Sequence, residues 1–158
     1  MNIYFYNTVL GKIGIAERDG NITNVFFGKD ALPQDTTEEE TPLLREAAQQ
    51  LDRYLIGQLK TFTLPLCPTG TPFMKQVWVQ LCNIPYAATA TYKEIAIKTG
   101  NVKACRAVGL ANNRNPIPIF IPCHRVIGSN GTLTGYRGGL EMKEKLLHIE
   151  RKEGNELF

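Results

Sequence analysis

Apolar and polar residues alternate in three short segments at the start of the chain, at 3–6, 12–17 and 22–27. Alternation with a period of two is typical of strands that bury one face. The turn residues at 18–21, with Asp19 and Gly20 at their centre, separate the last two segments. The pattern predicts an antiparallel β-meander, and the acidic residues at 35–40 predict a loop after it.

From residue 41 the apolar spacing changes to that of a helix. Thr41 and Pro42 are residue types that favour the N-cap and the first helical position, and Gly57 lies where this helix is expected to end. We expect a strand and then a connector at 61–71. The pattern becomes helical beyond this point, so a small β-rich domain is predicted at 1–66 and a mainly helical domain at 67–158.

The second domain contains a predicted pair of short helices. Thr91 and Glu94 have capping-box spacing, which places Tyr92 at the start of a helix that ends at Gly100, and a second helix is expected at about 102–112. Two helices joined by a glycine-containing turn predict a helix-turn-helix. A helix capped by the Thr-Pro pair at 71–72, with Trp78 in the core, precedes the pair. The predicted fold class is therefore α+β.

The second helix of the pair has two different faces. Small apolar residues at positions i, i+3, i+4 and i+7 are expected to pack on the first helix. They are Ala104, Ala107, Val108 and Ala111. Arg106 lies on the other side, beside Gly109, and points outward. The pattern leaves open whether Arg106 is an ordinary solvated arginine or part of a binding surface.

A last helix is predicted at 140–152, and it is expected to bury Leu140 and Leu147. The same spacing places Lys143, Leu146 and Glu150 on one common stripe of this helix.

Charge is distributed unevenly along the chain. The formal net charge is +3, but residues 1–66 hold six Lys/Arg and nine Asp/Glu, whereas residues 67–158 hold twelve and six. The basic second domain is therefore the candidate for binding a polyanion. Solvation of an ordinary surface is an equally good interpretation of the charges alone.

The four cysteines have no CxxC spacing and the chain has two histidines, so we expect no metal site and no disulfide framework. Free thiols indicate a cytoplasmic protein. Neither a secretory leader nor an apolar run of membrane-spanning length is present, so no membrane association is expected.

Cys123 and His124 are the main candidates for chemistry. A cysteine is reactive as the thiolate, so a nucleophilic cysteine needs a neighbouring base or positive charge. Adjacent side chains of an extended segment point apart, so His124 would act on Cys123 through a turn or a bridging water. Glu150 is a candidate for orienting the imidazole. The pair by itself leaves a structural cysteine and a cysteine hydrolase as alternatives.

Several motifs of the second domain resemble the O6-alkylguanine-DNA alkyltransferase family. They follow the family's order and spacing, and the Pro-Cys-His-Arg-Val motif is highly specific. The matching segments are GTPFMKQVWVQLCNIPY at 70–86, TYKEIA at 91–96, RAVGLANNRNPIPIFIPCHRVIGSNGTLTGYRGGLEMKEKLL at 106–147, and Glu150. The first domain resembles the family's variable N-terminal domain in layout.

The resemblance implies a DNA repair protein that flips O6-alkylguanine out of the duplex. Cys123 would accept the alkyl group, His124 would act as the base through water, and Glu150 would hold His124. Tyr92 would help to protonate the departing guanine, and Asn115 would tie the active-site turn to the helix-turn-helix. The implied transfer is irreversible and uses each molecule once, and O4-methylthymine is an alternative substrate that the sequence leaves open.

The resemblance also implies a DNA-contacting surface and a base pocket. Arg106 would fill the space left by the flipped nucleotide. The expected DNA-binding residues are Arg106, Ala104, Gly109 and Arg125, and the expected pocket residues are Val126, Gly135, Tyr136, Arg137 and Gly138. We expect no cofactor, no metal and a monomer whose partner is double-stranded DNA.

Two residues depart from the family pattern. Ala87 stands where many members have Gly, and Arg137 occupies a variable position at the pocket rim. The main alternative is a non-catalytic, alkyltransferase-like lesion-binding protein, but such proteins carry another residue in place of the acceptor cysteine. Cys123 argues directly against that alternative.

Overall fold

The computed structural model describes residues 1–155 and the side chains of residues 1–152. The chain forms two compact units, Met1–Pro68 and Thr69–Phe158. Within the described residues, no helix has both the length and the apolar character needed to cross a membrane.

The first unit contains a four-stranded sheet in the order β3-β2-β1-β4 and one helix. Its elements are β1 Asn2–Thr8, β2 Gly11–Arg18, β3 Asn21–Phe27, β4 Thr37–Glu38 and α1 Pro42–Leu55. The first three strands form the predicted antiparallel meander. Helix α1 begins as predicted, because the Thr41 hydroxyl accepts a hydrogen bond from the Leu44 N–H. Its apolar face is buried against the sheet.

Two predictions for the first unit are wrong. The acidic segment is not only a loop, because Thr37–Glu38 pairs in parallel with β1. The expected strand at 61–71 reduces to one isolated bridge between Ile22 and Leu66. Both errors concern pairing between residues that are distant in sequence, which local alternation does not report.

The second unit consists mainly of helices. Its elements are α2 Pro72–Cys82, β5 Ala90–Thr91, α3 Tyr92–Lys98, α4 Cys105–Asn113, a 3-10 turn Cys123–Arg125, β6 Val126–Ile127 and α5 Leu140–Asn155. Strands β5 and β6 pair in parallel. Trp78 is buried as predicted, and its indole N–H donates to the Ala111 carbonyl at 2.9 Å, which joins α2 to α4. Helix α3 has the full predicted capping box.

Three helix predictions for this unit need correction. Helix α4 begins at Cys105 rather than near 102, because a turn closed by the Asn101 carbonyl precedes it. Its buried face is Val108, Ala111 and Asn112, while Ala107 is exposed. Leu140 is also exposed, because the inward face of α5 is formed by Lys143, Leu146, Leu147 and Glu150.

Candidate active site and nucleic-acid interface

Cys123 lies at the start of the 3-10 turn, and its side chain is buried. The segment before it is tightly folded: the Ile121 N–H donates to the Ile117 carbonyl at 2.9 Å, and the Cys123 N–H donates to the Ile121 carbonyl at 2.8 Å. Ile119, between them, has a φ of 77°, which is costly for a β-branched residue. The strained segment is therefore held by its surroundings, and it presents Cys123 and His124 on a turn rather than on an extended strand.

Two asparagines fix this turn. Asn115 accepts a hydrogen bond from the Ile117 N–H through Oδ1, and its Nδ2 donates to the Ile121 carbonyl, each at 2.9 Å. Asn112, on α4, donates from Nδ2 to the Cys123 carbonyl at 3.3 Å. Asn115 follows α4 closely in sequence, but it is Asn112 that links the helix itself to the turn. The spacing of apolar residues did not predict this role of Asn112, because the other inward residues of α4, Val108 and Ala111, are apolar.

Glu150, on α5, accepts four hydrogen bonds. His124 Nε2 lies 2.7 Å from Oε2, and Arg125 contacts the carboxylate through Nε at 2.9 Å and Nη2 at 3.0 Å. The fourth donor is the Ala87 N–H, at 3.1 Å from Oε1. Ala87 has a φ of 66°, in the region that favours glycine. The carboxylate thus connects the 3-10 turn, α5 and the segment before α3 through hydrogen bonds.

The position of Arg125 corrects one expectation. Its side chain is buried, and its Nη1 donates to the Ile84 carbonyl at 2.8 Å in addition to the contacts with Glu150. A guanidinium held inside the unit by a carboxylate and a carbonyl is not presented to DNA. We therefore remove Arg125 from the predicted DNA-binding residues.

The charges of His124 and Glu150 follow from these contacts. Burial acts to raise the pKa of Glu150, but hydrogen bonds from His124 and Arg125, together with the charge of Arg125, outweigh it and lower the pKa to about 2. Burial lowers the pKa of His124, against the opposing effect of Glu150. At neutral pH an ionised Glu150 can only accept, so Nε2 of the neutral imidazole carries the hydrogen. The Nδ1 atom then has the lone pair that can accept a proton.

Cys123 is a thiol at rest. Burial raises its pKa to about 11, although a hydrogen bond with Asn115 and the charges of Lys143 and Arg137 act to lower it. A thiol with such a pKa needs a base at the moment of reaction. His124 is the adjacent residue and has the protonation state of a base.

The other predicted pocket residues differ in their exposure to solvent. Val126 is fully buried in β6, and the hydroxyls of Tyr92 and Thr134 share a hydrogen bond. The hydroxyl of Tyr136 is buried, and burial together with Cys123 raises its pKa. Gly135 and Arg137 are exposed and Gly138 is half-buried, so the loop has both an inner and an outer side.

Helix α4 presents Arg106 to solvent, as the sequence predicted. Ala107 and Leu110 are exposed beside it, which gives the helix a smooth outer face. Ala104 is half-buried as the N-cap residue, and a β-carbon at Gly109 would lie 3.9 Å from the Tyr92 ring. A long basic side chain above small residues permits close approach to a nucleic-acid groove.

The described residues contain no group of three or more His, Cys, Asp or Glu side chains placed to hold a metal ion. The four cysteines are free, and Cys67 and Cys82 are exposed.

Comparison with known proteins assigns both units to one class, the DNA methyltransferases that act on 6-O-methylguanine. Residues 72–152 match the family described as 6-O-methylguanine DNA methyltransferase, DNA binding domain, and residues 1–68 match its ribonuclease-like domain. The chain therefore belongs to the 6-O-methylguanine DNA methyltransferase family.

Individual relatives match over nearly their whole length. The methylated-DNA–protein-cysteine methyltransferase of Methanosarcina barkeri is 52% identical, over 89% of this chain and 91% of its own. The constitutive methylated-DNA–protein-cysteine methyltransferase of Bacillus subtilis is 49% identical, over 96% of each chain. The crystal structure of Mycobacterium tuberculosis OGT in complex with DNA is similar with a TM-score of 0.91 and 38% identity, covering 97% of this chain and 94% of that one.

Proposed function

We propose that the protein repairs O6-alkylguanine in double-stranded DNA by transferring the alkyl group to its own Cys123. The observation that carries the proposal is the arrangement of Cys123, His124 and Glu150, in which a buried thiol is followed in the chain by a neutral imidazole held by an ionised carboxylate. Membership of the family supports the same reaction.

The reaction is a direct displacement. The thiol proton passes to Nδ1 of His124 through a water molecule, and the sulfur attacks the alkyl carbon. The bond between that carbon and O6 breaks as the sulfur–carbon bond forms, and the guanine keeps the electron pair. The hydroxyl of Tyr92, which shares a hydrogen bond with Thr134, helps to deliver a proton to the departing base, and the proton taken up by His124 balances it.

The alkylated guanine reaches Cys123 by base flipping, since its O6 atom inside a duplex is out of reach of a buried thiol. Unstacking a base costs a few kcal/mol, and a side chain inserted into the gap offsets part of that cost. The exposure of Arg106 on α4 supports this role, and the small residues Ala104 and Gly109 would allow close approach. The positive charge of the second domain supports binding to DNA phosphates, which does not depend on the DNA sequence.

Each molecule acts once, because the product is a thioether. The sulfur–carbon bond of a thioether is not readily broken, since it offers no ready leaving group. The protein is thus a methylated-DNA–protein-cysteine methyltransferase that is consumed by its reaction. We also propose that it acts in the cytoplasm, where thiols stay reduced; the four free cysteines support this location.

The non-catalytic alternative is disfavoured by Cys123, because such proteins carry another residue in place of the acceptor cysteine. A comparison of two serine variants tests the proposal. Cys123→Ser should bind a duplex that contains O6-methylguanine and accept no methyl group, whereas Cys105→Ser should accept the methyl group as the unchanged protein does. Methyl transfer by Cys123→Ser would refute the assignment.

A further inference from the structure

Helix α5 carries a lysine on its buried face. Lys143 has 0% exposure and is among the largest fully buried side chains of the protein. Lysine is almost never fully buried without a partner, because removing an ammonium from water is costly. An apolar residue of similar volume would fill the space at less cost. The burial of Lys143 therefore calls for a reason other than packing.

The ammonium of Lys143 connects three parts of the site. Its Nζ donates to the Val126 carbonyl at 2.7 Å and to the Thr134 carbonyl at 2.9 Å. Val126 follows the 3-10 turn that carries Cys123, and Thr134 shares a hydrogen bond with Tyr92. One side chain of α5 thus fixes β6 relative to the loop that contains the predicted pocket residues.

The two carbonyls do not neutralise the charge of Lys143. Glu150 lies two turns further along α5 and pairs with His124 and Arg125 instead. Burial lowers the pKa of Lys143, and an ionised Cys123 acts to raise it, so the attraction between the two side chains exists only when the thiol has lost its proton. In return, Lys143 acts to lower the pKa of Cys123.

Other titratable groups also act on this pair. Arg137, in the pocket loop, acts to lower the pKa of Cys123, and the pKa of Tyr136 is raised by burial and by Cys123. Burial lowers the pKa of His124, and the charges of Arg125 and Lys143 act in the same direction. Lys143 differs from Arg137 because it is shielded from solvent, so its charge is less screened.

We propose that Lys143 is a positioning residue of the transfer reaction, which holds the Val126 and Thr134 carbonyls in place and supplies the counter-charge for the Cys123 thiolate. The proposal rests on the proposed function. In the reaction the thiol proton goes to His124, the sulfur–carbon bond forms and the carbon–oxygen bond breaks. Lys143 remains protonated throughout, so it neither donates nor accepts a proton in the reaction.

The test measures the reactivity of Cys123 without DNA. The rate constant for its alkylation by iodoacetamide, with the modified peptide identified by mass spectrometry, is followed from about pH 7 to about pH 9. Lys143→Met removes the charge and both hydrogen bonds, and Lys143→Arg keeps the charge. Lys145→Met is the matched control, because Lys145 lies on the same helix and is half-exposed.

We expect Lys143→Met to lower the rate by about tenfold or more at every pH, because destabilising the thiolate by one pKa unit lowers the thiolate fraction tenfold. Lys143→Arg keeps the positive charge, so its rate should stay within about threefold of that of the unchanged protein. Lys145→Met should have the same rate as the unchanged protein. An unchanged rate in Lys143→Met would overturn the proposal, as would an equal loss in the Met and Arg variants, which would mean that only shape matters.

Folding and function are checked separately. Thermal unfolding of each variant establishes that it is folded, and Lys143→Gln replaces Lys143→Met if the latter is not. Methyl transfer from a duplex with O6-methylguanine is measured in parallel for the unchanged protein. Absence of that transfer would contradict the proposed function, whereas the iodoacetamide rates would still decide the role of Lys143.

Discussion

His124 and Glu150 share a 2.7 Å hydrogen bond between Nε2 and Oε2, and neither side chain is open to solvent. Arg125 contacts the same carboxylate, so Glu150 is ionised where an isolated buried carboxyl would be neutral. This relationship sets the protonation state of His124 and also makes the fold sensitive to acid.

The protein should lose stability at low pH. The pKa of Glu150 is about 2 in the folded protein, whereas its ordinary value is 4.5. The contribution of Glu150 to stability is therefore complete above the pKa of the unfolded chain, and it is lost as the pH falls from about 5 towards 2. The loss should be on the order of 3 kcal/mol. His124 adds to this loss of stability as the pH falls below 6.5, its ordinary pKa, because the unfolded chain binds a proton at His124 more readily than the folded protein does.

Urea unfolding as a function of pH checks this prediction. Glu150→Gln should be less stable at neutral pH and should lose the part of the acid transition that is due to Glu150. Glu141→Gln is the control, since Glu141 is exposed on the same helix. The same acid dependence in Glu150→Gln and the unchanged protein would show that other carboxyl groups cause it.

Ala87→Gly should stabilise the protein. Ala87 has a φ of 66°, where a β-carbon costs roughly 1–2 kcal/mol and glycine has no such cost. Part of the gain is offset by the greater freedom of glycine in the unfolded chain, so we expect a net increase of about 1 kcal/mol. Denaturant unfolding measures it, and a decrease in stability would contradict the strain argument.

Arg125→Met should destabilise the protein without removing a DNA contact. Breaking one partner of a buried ion pair costs about 3–5 kcal/mol, because Glu150 would lose two hydrogen bonds. The salt dependence of DNA binding should be unchanged in the folded fraction, since no phosphate contact is lost. A smaller salt slope with normal stability would instead restore Arg125 to the DNA interface.

Arg106→Ala should separate base flipping from chemistry. We expect repair of duplex DNA to slow by roughly tenfold or more, because the gap left by the flipped base is no longer filled. Reaction with free O6-benzylguanine should change by less than about twofold, since no base leaves a stack. Arg114→Ala removes an exposed positive charge just after α4 and serves as the control. Equal slowing of both reactions by Arg106→Ala would exclude the proposed role.

The features that sequence predicted well are determined locally. Thr41, Thr71 and Thr91 each accept a backbone hydrogen bond at a helix start, and such caps depend on residues only three positions apart. The strands of the meander follow from alternation and a short turn. The motif around Cys123 identified the candidate site, because its residue types are specific.

The features that sequence missed depend on contacts between distant segments. Arg125 and Lys143 have side chains typical of a surface, yet both are buried. Arg125 donates to the Glu150 carboxylate, and Lys143 donates to the carbonyls of Val126 and Thr134. Leu140 has an apolar side chain and is exposed, since α5 turns another face inward. Residue type alone predicts neither outcome.

Peptide mass spectrometry after mixing the protein with a slight excess of duplex that contains one O6-methylguanine tests the central claim most directly. We predict one methyl group per molecule, located on Cys123, with no further turnover and no methyl group on Cys67, Cys82 or Cys105. Folded, reduced protein that binds the lesion but leaves Cys123 unmodified would contradict the account.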